Sequence, residues 1–209
     1  MAVDSMNKVI HAAVRRDLAR LDAALGSARE GDRERAADLH RGWAFVHDKL
    51  DKHHRQEEEL IFPAVVGFGV DPALVATMES EHDAMMTALG DLDAAMTAYA
   101  GSASRADADA AGEAVRRGSD VVERHLAHEE AELEPAIAPY LGSDGWKAVE
   151  KQLRTMPPVE AGWYFAWLRD GGSPEAQQFL ADTIPRPVLT VLSGVLGRGY
   201  RRSIASVWR

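Results

Sequence analysis

The sequence contains no cysteine. That excludes thiolate zinc sites, iron–sulfur clusters, c-type haem attachment and disulfide frameworks. Any metal must therefore be held by imidazole nitrogen and carboxylate oxygen. No stretch reaches the roughly 18 uncharged apolar residues that a membrane span needs. The opening residues, MAVDSMNKVIHAAVRRDLARL, lack an apolar core of signal-peptide length, so a cytoplasmic location is expected. Positive charge is in deficit as well. The net charge of −9 argues against nucleic acid as the main partner. Few β-branched runs occur, which leaves little material for strands.

What is present is helix-forming: long stretches rich in Ala, Leu, Glu, Asp and Arg. Residues 5–26 read as a first helix, with Val9, Ala13, Leu18, Leu21 and Leu25 on one face. A second spans about 32–60, striped by Leu39, Trp43, Val46 and Leu50. FPAVVGFGVDP reads as a connection broken by Pro63 and Pro72. A third helix starts after Asp71 as N-cap and runs to about Ala100. A fourth covers about 105–133 and is closed by Pro135. Four such helices with short loops describe an all-α, antiparallel up-and-down four-helix bundle over residues 1–140. Residues 141–209 form a helical extension expected to pack on it. Its end, 184–209, holds five arginines and no acidic residue. Docking onto its own bundle is the simplest use of that tail, and a membrane-surface or partner contact is the alternative.

A duplication lies inside the bundle. HHRQEEELIFP (53–63) and HLAHEEAELEP (125–135) share His first, Glu-Glu at the fifth and sixth positions, and Pro at the eleventh. Upstream, HAAVRRDL (11–18) matches HDAMMTAL (82–89), with His first and Leu last. The unit is one His followed by a His-x3-Glu helix, used twice: His11 with His53 and Glu57, His82 with His125 and Glu129. Residues four apart lie on one helix face with Cβ atoms roughly 6 Å apart, so a His and a Glu so placed reach one metal together. A carboxylate can also bridge two ions. Taken singly, a His-x3-Glu pair on a charged helix is a solvated ion pair. Burying several such pairs without a metal would be costly. Four nitrogens and two bridging carboxylates suit a pair of iron ions first and manganese second, ahead of calcium or magnesium. Around this set, His40, His47 and His54 share a stripe of surface or supporting histidines. His128 reads as a spare or orienting group. Glu58 and Glu130 either face solvent or complete a coordination sphere.

One His, then His-x3-Glu before an apolar-Pro end, twice over, resembles the hemerythrin-like (HHE cation-binding) family across residues 5–140. The resemblance implies a bundle around a non-haem di-iron centre, oxo- or hydroxo-bridged. One iron would take His11 and His53, the other His82 and His125, with Glu57 and Glu129 bridging. Oxygen-carrying members place a second histidine four before the position of His82, where this chain has Met78. They end on an Asp five after the helix-four histidine, where this chain has Glu129 at four. One iron then lacks a nitrogen ligand, and water, hydroxide, His128 or Glu130 fills the vacancy, or it stays open to small oxidants.

The resemblance implies chemistry with hydrogen peroxide, oxygen or nitric oxide, with peroxide breakdown first. The alternative is oxygen, nitric oxide or iron sensing without turnover. A ferritin-like carboxylate site would need Glu-x-x-His, a spacing that Glu123-Arg124-His125 does not provide.

Overall fold

The computed structural model describes residues 3–209, and every regular element among them is helical. No described helix is long and apolar enough to cross a membrane. The chain forms two compact units. One is Leu25–Thr155; the other joins the N-terminal stretch through Ala24 to Met156–Arg209.

The unit Leu25–Thr155 is built on three long helices, α2 (Arg33–Gln56), α4 (Pro72–Ser102) and α5 (Arg105–His128), with α3 (Phe62–Phe68) between the first two. Each long helix starts on a side-chain cap. Asp32 accepts from Arg35 N at 3.0 Å, Asp71 from Ala73 N at 2.9 Å and Ser104 from Asp107 N at 3.1 Å. These caps satisfy amides that the helix cannot pair internally. The buried residues alternate at steps of three and four. On α2 they include Ala36, Leu39, Trp43, Val46, Leu50 and His53. On α4 they are Val75, Met78, His82, Met85, Leu89, Leu92, Met96 and Tyr99. On α5 they include Ala108, Ala111, Val115, Gly118, Val122 and His125. Such spacing keeps one seam facing a neighbour along the whole helix, and α4 packs against both α2 and α5. The histidines occupy positions of the apolar seam itself.

Pro63 and Pro135 do not end their helices, contrary to the sequence expectation. Each chain segment widens into one π-type turn, Glu57–Ile61 and Glu129–Leu133, and then continues as α3 and as α6 (Glu134–Ile137). In an α-helix Pro63 would lack its N–H and press its ring on the carbonyl four residues back. The wider turn removes that conflict: Phe62 N bonds Glu57 O, and Glu134 N bonds Glu129 O, each five residues back. Both wide turns begin at the glutamate of a His-x3-Glu pair, and such turns concentrate at functional sites. Helix α3 ends at Gly69, whose φ of 107° suits glycine. Beyond a short 3₁₀ turn, Ala138–Tyr140, the unit closes with α7 (Asp144–Leu153).

In the other unit, α1 (Met6–Gly26, through Ala24) is joined by α8 (Pro158–Arg169), α9 (Pro174–Thr183), α10 (Arg186–Thr190) and α11 (Arg198–Ser203). A π-type segment, Val191–Leu196, follows α10. Asp17 on α1 is buried and accepts from Arg16 Nε at 2.8 Å, Arg20 at 3.1 Å and Trp167 Nε1 at 2.8 Å. Arg20 also reaches Asp170 at 3.0 Å, which accepts from the Tyr200 hydroxyl at 3.1 Å. The C-terminal segment is thus fastened to the first helix by buried polar contacts. Of the tail arginines, Arg201 is used internally, donating to the carbonyls of Ser193 and Gly194.

Helix α8 meets the π-type segment backbone to backbone. A Cβ at Gly162 would fall 2.3 Å from Leu196 Cβ and 2.7 Å from its carbonyl carbon. Gly162→Ala is therefore expected to destabilise the chain by about 1–3 kcal/mol, the usual range for forced overpacking. Urea unfolding checks this, and an unchanged midpoint would contradict the close approach.

Candidate metal centre

The seams of α2, α4 and α5 bring their polar members to one level. Glu57 continues the α2 stripe beyond Leu50 and His53, and Glu129 continues the α5 stripe beyond Val122 and His125. All of His53, Glu57, His82, His125 and Glu129 are buried. His11, the sixth sequence candidate, is buried on α1 in the other unit, where His11, Val14, Leu18 and Leu21 follow the same three-and-four spacing.

Glu57 is fully enclosed, at 1 % exposure. Its Oε1 lies 3.1 Å from His53 Nε2 and its Oε2 lies 3.5 Å from His82 Nε2. Neither oxygen has a hydrogen-bond partner, so the close approach to His53 lacks hydrogen-bond alignment. His82 Nε2 and His125 Nε2 face each other at 3.2 Å, and His125 Nε2 is 3.9 Å from Glu129 Oε2.

The outer nitrogens explain how these rings are held. His82 Nδ1–H donates to Glu58 Oε1 at 2.8 Å, and His125 Nδ1–H donates to Glu81 Oε2 at 3.0 Å. An ionised carboxylate only accepts, so the proton of each neutral ring sits on Nδ1. Both Nε2 atoms then present lone pairs to one another at 3.2 Å, an arrangement that a cation between them relieves. A carboxylate behind each imidazole is also the usual way of orienting metal-binding histidines. The donor set thus fits a cation: inward lone pairs, a buried carboxylate with unsatisfied oxygens, and oriented rings.

Burial moves the acid–base behaviour in the same sense. The Glu57 carboxyl is pushed well above its ordinary value of 4.5, first by burial and then by the adjacent Glu129 carboxylate. His125 is lowered by burial, with Glu129 opposing and His82 adding to the shift. His54 is held well below 6.5 by burial and then by His53, His82 and His125.

Three residues take places that the sequence did not settle or did not suggest. His54, expected at the surface or in support, is buried, and its ring lies 4.3 Å from that of His82. His54, Glu57, His82 and His125 form one group whose ligand atoms all lie within 4.8 Å of one another. Glu58 is a half-exposed carboxylate that holds His82. Glu81, which sequence reasoning missed, holds His125 with one oxygen and His128 Nδ1 with the other, at 2.8 Å. His128 therefore serves the site through Glu81. His47 is occupied elsewhere, stacked on Trp43 at 5.1 Å. Met78 belongs to an apolar cluster with Phe62, Val65, Val70, Val75, Leu133 and Ile137, and the Phe62 ring stacks on His82 at 5.5 Å.

Glu81→Ala is expected to weaken metal affinity about 10–100-fold, the usual cost of losing a carboxylate behind a ligating histidine. Competition with a chromogenic chelator measures it. Unchanged affinity would show that the ring needs no such support.

No curated protein and no solved structure matches the chain. The family model described as the hemerythrin HHE cation binding domain matches residues 5–137, well over half of the sequence. With His54, Glu57, His82 and His125 turned toward a common point, the chain belongs to the hemerythrin HHE cation-binding family.

Proposed function

We infer that the protein is a non-haem di-iron protein that reacts with small oxidants, hydrogen peroxide first. In this reading α1, α2, α4 and α5 form an up-and-down bundle over residues 1–140, with 141–209 as an appended helical region. His11 and His53 hold one iron, His82 and His125 the other, and Glu57 and Glu129 bridge them. The observation that carries the reading is Glu57, a buried carboxylate with one oxygen toward His53 and the other toward His82. One oxygen toward each of two imidazole sets is what a bridging carboxylate requires. Imidazole and carboxylate donors without sulfur suit iron, manganese and zinc, and membership of the family puts iron first.

Two adjacent irons, when bound, supply the two-electron chemistry that converts two molecules of hydrogen peroxide into two of water and one of oxygen. The chain's own part is to orient and to shield. Glu58 and Glu81 keep the protons of His82 and His125 on Nδ1, so both Nε2 atoms stay available. Phe62 and the apolar cluster around Met78 keep one side of His82 dry, which strengthens every electrostatic interaction there. Iron-loaded protein should release one oxygen per two peroxides consumed, read with an oxygen electrode. Absent turnover, or turnover equal in wild type and Glu57→Ala, would refute the enzymatic reading.

Sensing of oxygen, nitric oxide or iron is favoured by one observation. Asp17, six residues beyond His11 on α1, is fastened to Trp167 of the C-terminal segment. A change at His11 could then reach that segment through one helix. Limited proteolysis with and without iron tests this, and identical cleavage in the C-terminal segment counts against it.

A further inference from the structure

The two adjacent histidines at 53 and 54 are more than the duplicated motif requires, because Leu126 stands where a repeat of His54 would fall. Neighbours on a helix point about 100° apart. His53 turns its Nε2 to Glu57 Oε1, whereas the His54 ring lies against the rings of His82 and His125, with centroids at 4.3 and 5.5 Å. His54 is only 4 % exposed, yet neither ring nitrogen has a hydrogen-bond partner. A buried histidine kept for packing normally satisfies at least one nitrogen, because a buried polar atom left unpaired loses its hydration without return.

We propose that His54 is a third nitrogen ligand of the ion held by His82 and His125, beside the bridging Glu57 and Glu129 carboxylates. The proposal rests on the two-ion reading above. Ligand atoms about 2.1 Å from a shared ion lie at most about 4.2 Å apart. The His54, Glu57, His82 and His125 atoms, within 4.8 Å of one another, close onto an ion with shifts of a few tenths of an ångström. No ligand comes from α4 one turn before His82, where Met78 is sealed among Phe62, Val65 and Leu133. His54 delivers from α2 the nitrogen that α4 does not. The two ions then differ: the one shared by His82 and His125 gains an imidazole, and the vacant positions for an oxidant fall to the other.

The test compares wild type, His54→Ala and His54→Phe, loaded with cobalt(II), by metal analysis, visible absorption and chelator competition. Wild type should bind two ions per chain. Both variants should keep one tightly and bind the second at least about tenfold more weakly, with an altered visible spectrum, and millimolar imidazole should restore His54→Ala. His54→Phe retains a ring of similar size, so a loss shared by both variants is a loss of nitrogen rather than of packing. Two ions bound to both variants with unchanged affinity and spectrum overturn the assignment of His54 and leave the two-ion reading intact. A wild type that binds no ion overturns both.

Discussion

Replacing Glu57 with alanine is expected to leave no more than one ion per chain and to lower peroxide turnover by at least about 100-fold, an estimate scaled from the 10–100-fold cost of weaker, outer groups. The reason is positional. His53 and His82 come from different helices, and Glu57 turns one oxygen toward each. Without it, neither ion has a shared anionic ligand from α2. Metal analysis and an oxygen electrode measure the two effects, and full metal content with normal turnover would contradict the bridging role.

The same residue makes a signed prediction for metal-free protein. Because burial and Glu129 raise the Glu57 pKa in the folded state above 4.5, its contribution to stability is fully present below about pH 4.5. It is lost as pH rises through the raised value. His54 and His125 act oppositely: their lowered values give stability that is present above 6.5 and lost as pH falls. These histidine effects occur in wild type and Glu57→Gln alike, so the difference between the two isolates the carboxyl. Metal-free wild type should therefore lose stability relative to Glu57→Gln as pH rises from about 4.5. A flat difference in urea unfolding across that range would contradict the burial argument.

The second large effect lies in the other unit. Asp17→Ala is expected to destabilise the chain by about 3–5 kcal/mol, the usual result of removing one partner from a buried ion pair. Asp17 is 1 % exposed and neutralises Arg16, whose guanidinium it holds at 2.8 and 2.9 Å. It also satisfies the indole N–H of the fully buried Trp167. Truncation leaves a largely buried cation without its carboxylate and the Trp167 indole N–H without its acceptor. Asp17→Asn, which can still accept from Trp167, should cost less. Urea unfolding followed by tryptophan fluorescence measures both, and a loss below about 1 kcal/mol for alanine would mean that Arg16 finds another partner.

The helices and the ligand-bearing repeat were legible because both are periodic. The stripe through Leu39, Trp43, Val46 and Leu50 runs on at the same spacing into His53 and Glu57, and the stripe of α5 runs into His125 and Glu129. Other features are set by neighbours rather than by spacing. Pro63 looks like a stop when read along the chain. The structure carries it directly after a widened turn, because Phe62 before it and Val65 beyond it still have core to bury. His54 lies well around the helix from His53, which places it outside a single seam; α4 and α5 together cover that side and bury it. Glu81 sits beside His82 in sequence but serves His125 on another helix, a pairing with no spacing to read. The C-terminal segment has no repeat, so its attachment through Trp167 and Asp17 emerges only from the fold.

The duplicated His-x3-Glu pairs are proposed to hold two iron ions. Metal analysis of protein purified without added metal, with its near-ultraviolet spectrum, tests that most directly. Two iron ions per chain and the strong near-ultraviolet absorption of an oxo-bridged ferric pair are expected. Protein that is metal-free, or that carries zinc and absorbs nothing there beyond its aromatic residues, would contradict it.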